Sequence, residues 1–272
     1  MDNVSQDLLT LEPQLRVGAF LGGLLIILIL ERLYPIRALS QSVLTRWSGN
    51  FGISVLSTLA ARLLAPIAPV AAATVAEENS WGLFNLFELQ AWITVAVSIL
   101  VLDLVIYVQH RAFHMVPVLW RVHRMHHADL DLDVTTGLRF HPIEILLSLI
   151  IKVGVVVAIG APAVSVLAFE IILNGTAMFN HGNLRIPPGV DRWLRWIVVT
   201  PLMHRVHHSI VRTETDSNFG FNLPWWDRLL GTYRAAPAAG YDAMTIGLPE
   251  FREAGESRLD RLIVQPFIDE RP

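Results

Sequence analysis

Cysteine is absent from this chain of 272 residues, and charged side chains are scarce. Without cysteine there is no disulfide, no thiolate metal ligand and no cysteine nucleophile, so any metal must be held by histidine or by carboxylates. Charged residues make up 17% of the chain, whereas a soluble domain carries roughly a quarter. The net charge of -3 excludes the basic surface expected of a nucleic-acid-binding protein.

Several catalytic and targeting motifs are missing as well. The chain has no glycine-rich dinucleotide fingerprint and no His-Glu-x-x-His motif of the zinc metalloproteases. Its first residues are acidic rather than basic, which does not match a secretory signal peptide. These absences direct attention to the apolar segments and to the histidines.

The apolar residues are concentrated in long runs that predict membrane-spanning helices. The clearest runs are 15–33 and 91–108, and a run at 51–76 is interrupted by an arginine and two prolines. Two further runs, 143–159 and 163–179, are joined by only three residues and therefore form a helical hairpin. We predict an all-α integral membrane protein with about four transmembrane helices, one pair of which is this hairpin.

The charges beside these runs predict the orientation in the membrane. Arg32 and Arg111 follow the first and third runs, and the residues before the first run are acidic. The positive-inside rule therefore places Arg32 and Arg111 on the cytoplasmic side. Counting the crossings then brings residues 110–141 and 181–208 together on that same face of the membrane.

All ten histidines lie in the two polar segments 109–142 and 180–272. Eight of them form three motifs: His110-x-x-x-His114, His123-x-x-His126-His127 and His204-x-x-His207-His208. Spacings of three and four place side chains on one face of a helix, so each motif is expected to be a preformed set of two or three imidazole ligands. His141 and His181 stand alone.

Eight or nine imidazoles are more than one metal ion takes. Imidazole suits iron, zinc, copper and nickel, and one ion rarely has more than six ligands. The histidines therefore imply two ions, which in two-metal enzymes lie about 3.5–4 Å apart. A single His-x-x-x-His pair occurs often by chance, but two His-x-x-His-His motifs beside membrane spans do not. We therefore predict a di-metal site.

Together with neighbouring residues, these motifs resemble the fatty acid hydroxylase superfamily, also called the sterol desaturase family. The similarity runs from Asp103 to Tyr233 and includes Leu119-Trp120, Thr135-Thr136-Gly137-Leu138-Arg139-Phe140-His141-Pro142-Ile143-Glu144, Asn180-His181-Gly182-Asn183, Thr200-Pro201-Leu202-Met203-His204, Asn218-Phe219-Gly220 and Trp226-Asp227-Arg228-Leu229-Leu230-Gly231-Thr232-Tyr233. The resemblance implies a four-helix membrane core under a cytosolic helical cap that holds a histidine-ligated di-iron centre. It divides the chain into N-terminal membrane helices (1–90), a catalytic region (91–234) and a C-terminal tail (235–272), within one membrane-embedded domain.

Carried over position by position, the resemblance implies nine metal ligands: His110, His114, His123, His126, His127, His204, His207 and His208, with His181 as the ninth. Three other residues are candidates for contacts around the ligands. Asp103, in an apolar run, is expected to orient His110 or His114, or to pair with an arginine.

His141 precedes Pro142, so it caps a helix, lines the substrate mouth or serves as a ligand. Asn218 either hydrogen-bonds a ligand or forms a turn before Gly220. The tryptophans are expected to anchor at the membrane surface, and they are Trp193, Trp196, Trp225 and Trp226.

The resemblance implies that two iron ions and O2 hydroxylate or desaturate a lipid that is sterol-, fatty acyl- or alkylglycerol-like. The three-residue spacing of the first motif resembles the branch of sterol oxidases, sterol desaturases and alkylglycerol monooxygenases. Electrons must come from a separate ferredoxin, or from a cytochrome with its reductase, because no cytochrome b5 is fused to the chain. We expect a bacterial inner membrane, with the endoplasmic reticulum as the alternative, and an active site that faces the cytoplasm.

Three other classes of protein use clustered histidines. A membrane zinc hydrolase keeps about three ligands per ion and needs a nearby carboxylate base. A metal transporter or binding protein places its ligands at mid-membrane on broken helices. A bis-histidine haem protein leaves the doubled motifs unexplained. Zinc in the isolated protein is compatible with the di-iron interpretation and with the hydrolase alike.

Overall fold

The computed structural model describes residues 3–65, 67–87, 89–253 and 255–269, and their regular structure is nearly all helical. The α-helices are α1 (Asn3–Thr10), α2 (Glu12–Leu33), α3 (Val43–Leu64), α4 (Pro69–Glu78), α5 (Ala91–Met115), α6 (Pro117–His127), α7 (Pro142–Ile159), α8 (Ala163–His181), α9 (Pro188–Leu194), α10 (Pro201–His207), α11 (Arg212–Thr215), α12 (Trp225–Leu229), α13 (Gly240–Ala243) and α14 (Leu259–Val264). Short 3-10 helices span Leu83–Leu86, Thr136–Leu138 and Gln265–Phe267.

Five helical stretches among the described residues are long and apolar enough to cross a membrane. They are Glu12–Leu33, Val43–Leu86, Ala91–Met115, Pro142–Ile159 and Ala163–His181. The second stretch comprises α3, α4 and the 3-10 helix Leu83–Leu86, and Pro69 begins α4. The predicted all-α membrane fold is confirmed, with five candidate spans where about four were expected.

The predicted hairpin of α7 and α8 is present and turns at Gly160. Gly160 has a φ of 68°, the left-handed conformation that ends helices readily at glycine. The following Pro162 sits at the start of α8, which packs against α1, α2, α4 and α5. Its apolar stretch is the most enclosed of the five, with half of it buried. This hairpin returns the chain to the face at which α5 ended.

We call the described residues 116–141 and 182–269, which lie outside the five candidate spans, the cap. Proline begins two helices that contain a histidine motif, α6 and α10, and the helix that follows His141, α7. Pro117, Pro142 and Pro201 occupy the first turns of α6, α7 and α10, where the missing N–H costs nothing. The turn between α5 and α6 is a single residue, Val116. Histidines at the end of α5 and along α6 are therefore held beside one another.

An arginine of α3 ties the N-terminal helices to the cap. Arg46 is fully buried and donates through Nε and Nη2 to both oxygens of Asp129 at 2.8 and 2.9 Å. Its Nη1 donates to Asp133 at 2.6 Å, and Nη2 also donates to the carbonyl oxygen of Asp131 at 2.9 Å. A bidentate pair of this kind fixes position as well as charge. The segment that follows the second histidine motif is therefore clamped to α3.

The C-terminal residues pack against α3 and α6. Leu262 of α14 is buried in a cluster with Ile53 of α3 and Met125 of α6. Arg124 donates to the carbonyl oxygen of Gln265 at 2.7 Å. The last helices therefore cover the outer side of the second histidine motif.

Candidate metal centre

Nine of the ten histidines lie in two buried groups that can each hold a metal ion. The first group contains His110, His114, His123, His127 and His207, and the second contains His126, His181, His204 and His208. Within each group, one ligand atom per residue lies within 4.8 Å of all the others. The structure thus brings together every histidine that the sequence analysis proposed as a ligand.

The ring nitrogens converge at the spacing of ligands on a common ion. In the first group, Nε2 of His110 lies 3.1 Å from Nε2 of His123 and 3.0 Å from that of His207. In the second, Nε2 of His181 lies 3.0 Å from Nε2 of both His126 and His204. Two imidazoles at right angles on one ion, with metal–nitrogen bonds of about 2.1 Å, have nitrogens about 3.0 Å apart. The donor set fits metal in both groups.

Each His-x-x-His-His motif divides between the two groups, which differs from the expectation that each motif forms one ligand set. In α6, His123 and His127 belong to the first group, whereas His126 belongs to the second. Residues four apart on a helix point in nearly the same direction, while the residue between them diverges. The His204 motif divides in the same manner, so α6 and α10 each supply ligands to both groups.

The two groups are direct neighbours. The rings of His127 and His208, one from each group, are stacked with centroids 4.5 Å apart. The rings of His123 and His126 have centroids 5.3 Å apart. A substrate atom between the groups would therefore meet both at once.

Backbone carbonyl groups accept hydrogen bonds from the far side of four rings. The Nδ1 atoms of His110, His126, His181 and His207 lie 2.7, 3.1, 2.7 and 2.7 Å from the carbonyl oxygens of Phe219, Arg139, Ala177 and Ser217. A carbonyl oxygen can only accept, so Nδ1 carries the proton and Nε2 keeps its lone pair. These contacts fix both the tautomer and the ring orientation that a metal ligand requires.

Two carboxylates complete this outer layer, and the sequence analysis had assigned a role there to neither. Glu144 Oε1 lies 2.7 Å from Nδ1 of His123, and Asp216 Oδ1 lies 3.3 Å from Nδ1 of His114. The sequence does point to a role for Glu144, because a carboxylate in the first turn of a helix apolar enough to cross a membrane needs a partner. Nothing in the sequence points to Asp216, because its contact with His114 depends on how α11 folds back on α5.

Burial favours the neutral form of five histidines of the cap. Burial lowers the pKa of His126, His127, His204 and His208 far below the usual value, and the neighbouring imidazoles lower it further. Burial also lowers the pKa of His207 to about 3, against the raising effect of its hydrogen bond to Ser217. A neutral imidazole is the form that binds metal.

Some of these buried nitrogens have no hydrogen-bond partner among the described residues. They include both ring nitrogens of His208 and Nε2 of His114. Buried polar atoms are almost always hydrogen-bonded, and an unpaired one is costly. A metal ion in each group would take up Nε2 of His114 and one of the two ring nitrogens of His208. The residues present therefore fit the pair of ions that the sequence analysis predicts.

Among the described residues Asp103 hydrogen-bonds neither a histidine nor an arginine, so the contacts do not support the prediction that it orients His110 or His114 or pairs with an arginine. It precedes His110 by seven residues, which is about 10 Å along the helix at about 1.5 Å per residue. Its Oδ2 instead accepts a hydrogen bond from Nε1 of Trp226 at 2.7 Å. Trp226 is therefore tethered to α5, and is more than the surface anchor expected.

The whole polar stripe of α5 docks on the segment between residues 216 and 232. Below the histidines, Asp103 binds Trp226 and the hydroxyl of Tyr107 shares a hydrogen bond of 2.8 Å with Thr232. At the C-terminal end of the stripe, His110 contacts the carbonyl oxygen of Phe219 and His114 contacts the carboxylate of Asp216. The stripe thus positions the loop that in turn orients two ligands.

His141 caps a helix and lies outside both histidine groups. Its Nδ1 accepts from the backbone N–H of Ile143 at 3.2 Å, at the start of α7. Its Nε2 lies 3.3 Å from the carbonyl oxygen of Ile263. Of the alternatives open for this residue, the structure shows the helix cap.

Asn218 forms a turn and acts on two ligands through its neighbours. It has a φ of 53°, and its side chain donates to the carbonyl oxygens of Met203 and Arg234 at 2.9 Å each. The carbonyl groups on either side of it, those of Ser217 and Phe219, are the ones that His207 and His110 contact. It makes no direct hydrogen bond to a histidine among the described contacts.

Two phenylalanines separate the histidines from the apolar interior. Phe140 stacks on His126 with centroids 4.5 Å apart, and Phe221 lies 5.0 Å from His110 and 6.1 Å from His204. Both rings also pack against the apolar cluster formed by α4, α5, α7 and α8. Apolar rings at this boundary exclude water from the ligand side of the imidazoles.

A membrane-spanning helical core with two adjoining polyhistidine groups defines the class of histidine-rich membrane metalloproteins. Within that class the chain belongs to the fatty acid hydroxylase family, because the family profile matches residues 95–232, about half of the chain. The predicted family is thereby confirmed.

The chain is also similar in sequence to several named proteins. The chain is 30% identical over 224 residues to ornithine lipid hydroxylase of Rhizobium tropici, covering 80% of this chain and 66% of the relative. It is 34% identical over 157 residues to alkylglycerol monooxygenase of Xenopus tropicalis, covering 56% of this chain and 34% of the relative. The chain is 30% identical over 137 residues to a very-long-chain aldehyde decarbonylase of Oryza sativa, covering 47% of this chain and 22% of the relative. The chain thus spans less than two thirds of each of these relatives, and no solved structure matches it significantly.

Proposed function

We propose that this protein is an O2-dependent di-iron enzyme of the membrane that hydroxylates a lipid. The observation that carries the proposal is the pair of adjoining buried groups, with five and four imidazoles. Two relatives are named as a lipid hydroxylase and a monooxygenase, which favours oxygen insertion over desaturation for this chain too. A pair of irons, when bound, would supply the O2 activation and the C–H oxidation that side chains cannot perform.

The residues of the chain would hold that pair and protect it. The first group would bind one ion and the second the other, with Nε2 or Nδ1 lone pairs as the donors. Backbone carbonyls and Glu144 hold the rings in the binding orientation from behind. Phe140 and Phe221 would exclude water on the side from which an apolar chain approaches.

The substrate that fits this arrangement is a membrane lipid. The histidines at the ends of helices that are long and apolar enough to span a membrane support this proposal, because a lipid could reach such a site without leaving the bilayer. Electrons would come from a separate ferredoxin, or a cytochrome with its reductase. We place the cap on the cytoplasmic side, by the positive-inside rule, and the chain in a bacterial inner membrane.

The test is metal analysis, Mössbauer spectroscopy and turnover of the full chain, enriched with iron-57 and purified in mild detergent. We expect two coupled irons per chain that react with O2 once reduced, and hydroxylated product from an ornithine-containing lipid or a 1-O-alkylglycerol. Zinc that iron cannot replace in an active preparation would overturn the proposal in favour of a membrane zinc hydrolase. A single ion per chain would favour a metal-binding or transport protein.

A further inference from the structure

An exposed apolar face lies on one side of the cap, formed by α9, the turn after it and α12. Its side chains are those of Trp193, Trp196, Ile197, Trp225, Leu229 and Leu230. Trp193 and Leu229 are 72% and 73% exposed. Large exposed apolar surfaces rimmed by polar residues mark interaction sites. We refer to this surface as the α9–α12 face.

The two helices of this face form one continuous surface. Nε1 of Trp225 donates to the carbonyl oxygen of Trp196 at 2.7 Å. Arg228 donates to the carbonyl oxygen of Arg195 at 2.9 Å, and its guanidinium lies 3.9 Å from the centre of the Trp196 ring. The apolar side chains are therefore held in a fixed arrangement rather than scattered along a loop.

Along the membrane normal, the face lies level with the candidate spans rather than beyond their ends. Trp226, next to Trp225 in α12, donates to Asp103, which lies within one of the stretches long enough to cross a membrane. Asn222, just before α12, accepts a hydrogen bond from the Thr176 hydroxyl in another. Asp103 lies about 10 Å below His110 along α5. Segment 222–226 therefore reaches past the metal centre towards the middle of the bilayer.

The exposed charges on this face are positive. Asp191 is buried and pairs with Arg195 at 2.6 Å, and Asp227 is buried and accepts from the backbone N–H groups of Phe219 and Gly220. Arg192 is exposed, so the outward charge of α9 is a cation. Tryptophan rings with a polar N–H, beside arginine, fit the headgroup region of a leaflet with anionic lipids.

We propose that the α9–α12 face is immersed in the headgroup and upper acyl region of the leaflet at the cap end of α5 and α8. The cap is then held by lipid on this side as well as by its membrane helices. Residues 222–226 connect this face to Phe221, whose ring contacts histidines of both groups. On the proposed function, this is the side from which the lipid substrate approaches the metals.

The absence of cysteine allows a direct measurement of depth. Single variants Trp193→Cys and Leu229→Cys are labelled with a nitroxide in the full chain. Asp242→Cys, on the exposed α13, serves as the control. The proteins are placed in vesicles of phosphatidylcholine and phosphatidylglycerol. Accessibility to O2, which concentrates in lipid, is then compared with accessibility to a water-soluble nickel chelate.

We expect the labels at positions 193 and 229 to be relaxed by O2 and protected from nickel, with the opposite result at position 242. Nickel access at both positions 193 and 229 would overturn the proposal, because the face would then lie in water. Protection from both reagents would also overturn it, in favour of a second protein or a second copy covering the face.

The approach of substrate is tested separately with Leu229→Glu, and with Thr245→Glu as a matched control at an exposed cap position. With 1-O-alkylglycerol or an ornithine-containing lipid in vesicles, we expect a several-fold higher KM for the first variant and an unchanged kcat. The control should change neither constant. An unchanged KM in Leu229→Glu would overturn this route. Label depth needs no turnover and no metal, so a failure of the di-iron proposal and a failure of the immersed face give different results.

Discussion

On the proposed function, single side chains behind the histidines decide how firmly metal is held. Glu144 accepts from Nδ1 of His123 at 2.7 Å, while four other histidines have a backbone carbonyl oxygen in the corresponding position. A carboxylate in this position raises the basicity of the imidazole and fixes its orientation. Its removal therefore affects affinity more than fold.

We predict that Glu144→Ala weakens metal binding by about 10–100-fold, the usual effect of deleting such a partner. Glu144→Gln keeps an acceptor without the charge, so its loss should be smaller. Titration with iron against a competing chelator measures both. Equal affinity in Glu144→Ala and the parent would show that the contact does not orient His123.

Histidine substitutions separate the two groups from the helix cap. His126→Ala removes one of four ligands in the second group, and His207→Ala removes one of five in the first. Each should abolish turnover and lower the metal content, measured by elemental analysis and by loss of the coupled Mössbauer signal. His141→Ala, which removes only a helix cap, should retain most of the metal. Full activity in either of the first two variants would contradict the di-metal assignment.

How much of the site could be predicted differs between these residues. Eight of the histidines were predictable because spacings of three and four on a helix are visible in a sequence. His181 stands alone in the sequence, and only the resemblance to the family implied it as a ligand. The division of His123 and His126 between groups was not, because it depends on the angle at which α6 and α10 face each other. Asp103 was misplaced for a similar reason: its helical face was correct, but its height along α5 put it beside Trp226.

At the scale of elements, α3 stabilises the metal centre from outside the matched family region, which begins at residue 95. Arg46 bonds Asp129 and Asp133, and Asp129 follows His127 by two residues. Burial opposes ionisation of Asp129, but Arg46 and Arg139 outweigh it and lower its pKa to about 2. Nothing in the local pattern of α3 predicts this contact, because its partners lie more than 80 residues away.

We predict that Arg46→Met destabilises the protein by about 3–5 kcal/mol, because it leaves two buried carboxylates without their cation. The midpoint of thermal unfolding in detergent should fall markedly, and metal content should fall with it. Arg62→Met, at an exposed position of the same helix, is the matched control and should change little. A small change in Arg46→Met would mean that solvent or the neighbouring Arg139 compensates for the lost charge.

For the whole molecule, the metals and the fold should stabilise each other. The ligands come from α5, α6, α8 and α10, so the two groups join the membrane helices to the cap at a single place. The apolar cluster that joins α4, α5, α7 and α8 consists of side chains other than the histidines, so it can hold these helices together without metal. Removing metal should therefore loosen the cap while the membrane helices remain packed.

We predict that chelation of the metal lowers the unfolding midpoint and exposes cap amides to hydrogen exchange, with little change in α7 and α8. A ligand that binds only the folded state stabilises it by about 2.7 kcal/mol at a free concentration of 100 times its Kd. Adding iron back to the chelated protein should restore both the midpoint and the protection. Arg46→Met should respond less to iron than the parent, because its cap is already loosened at the other attachment. Uniform exchange across cap and membrane helices after chelation would show instead that the two parts unfold as one unit.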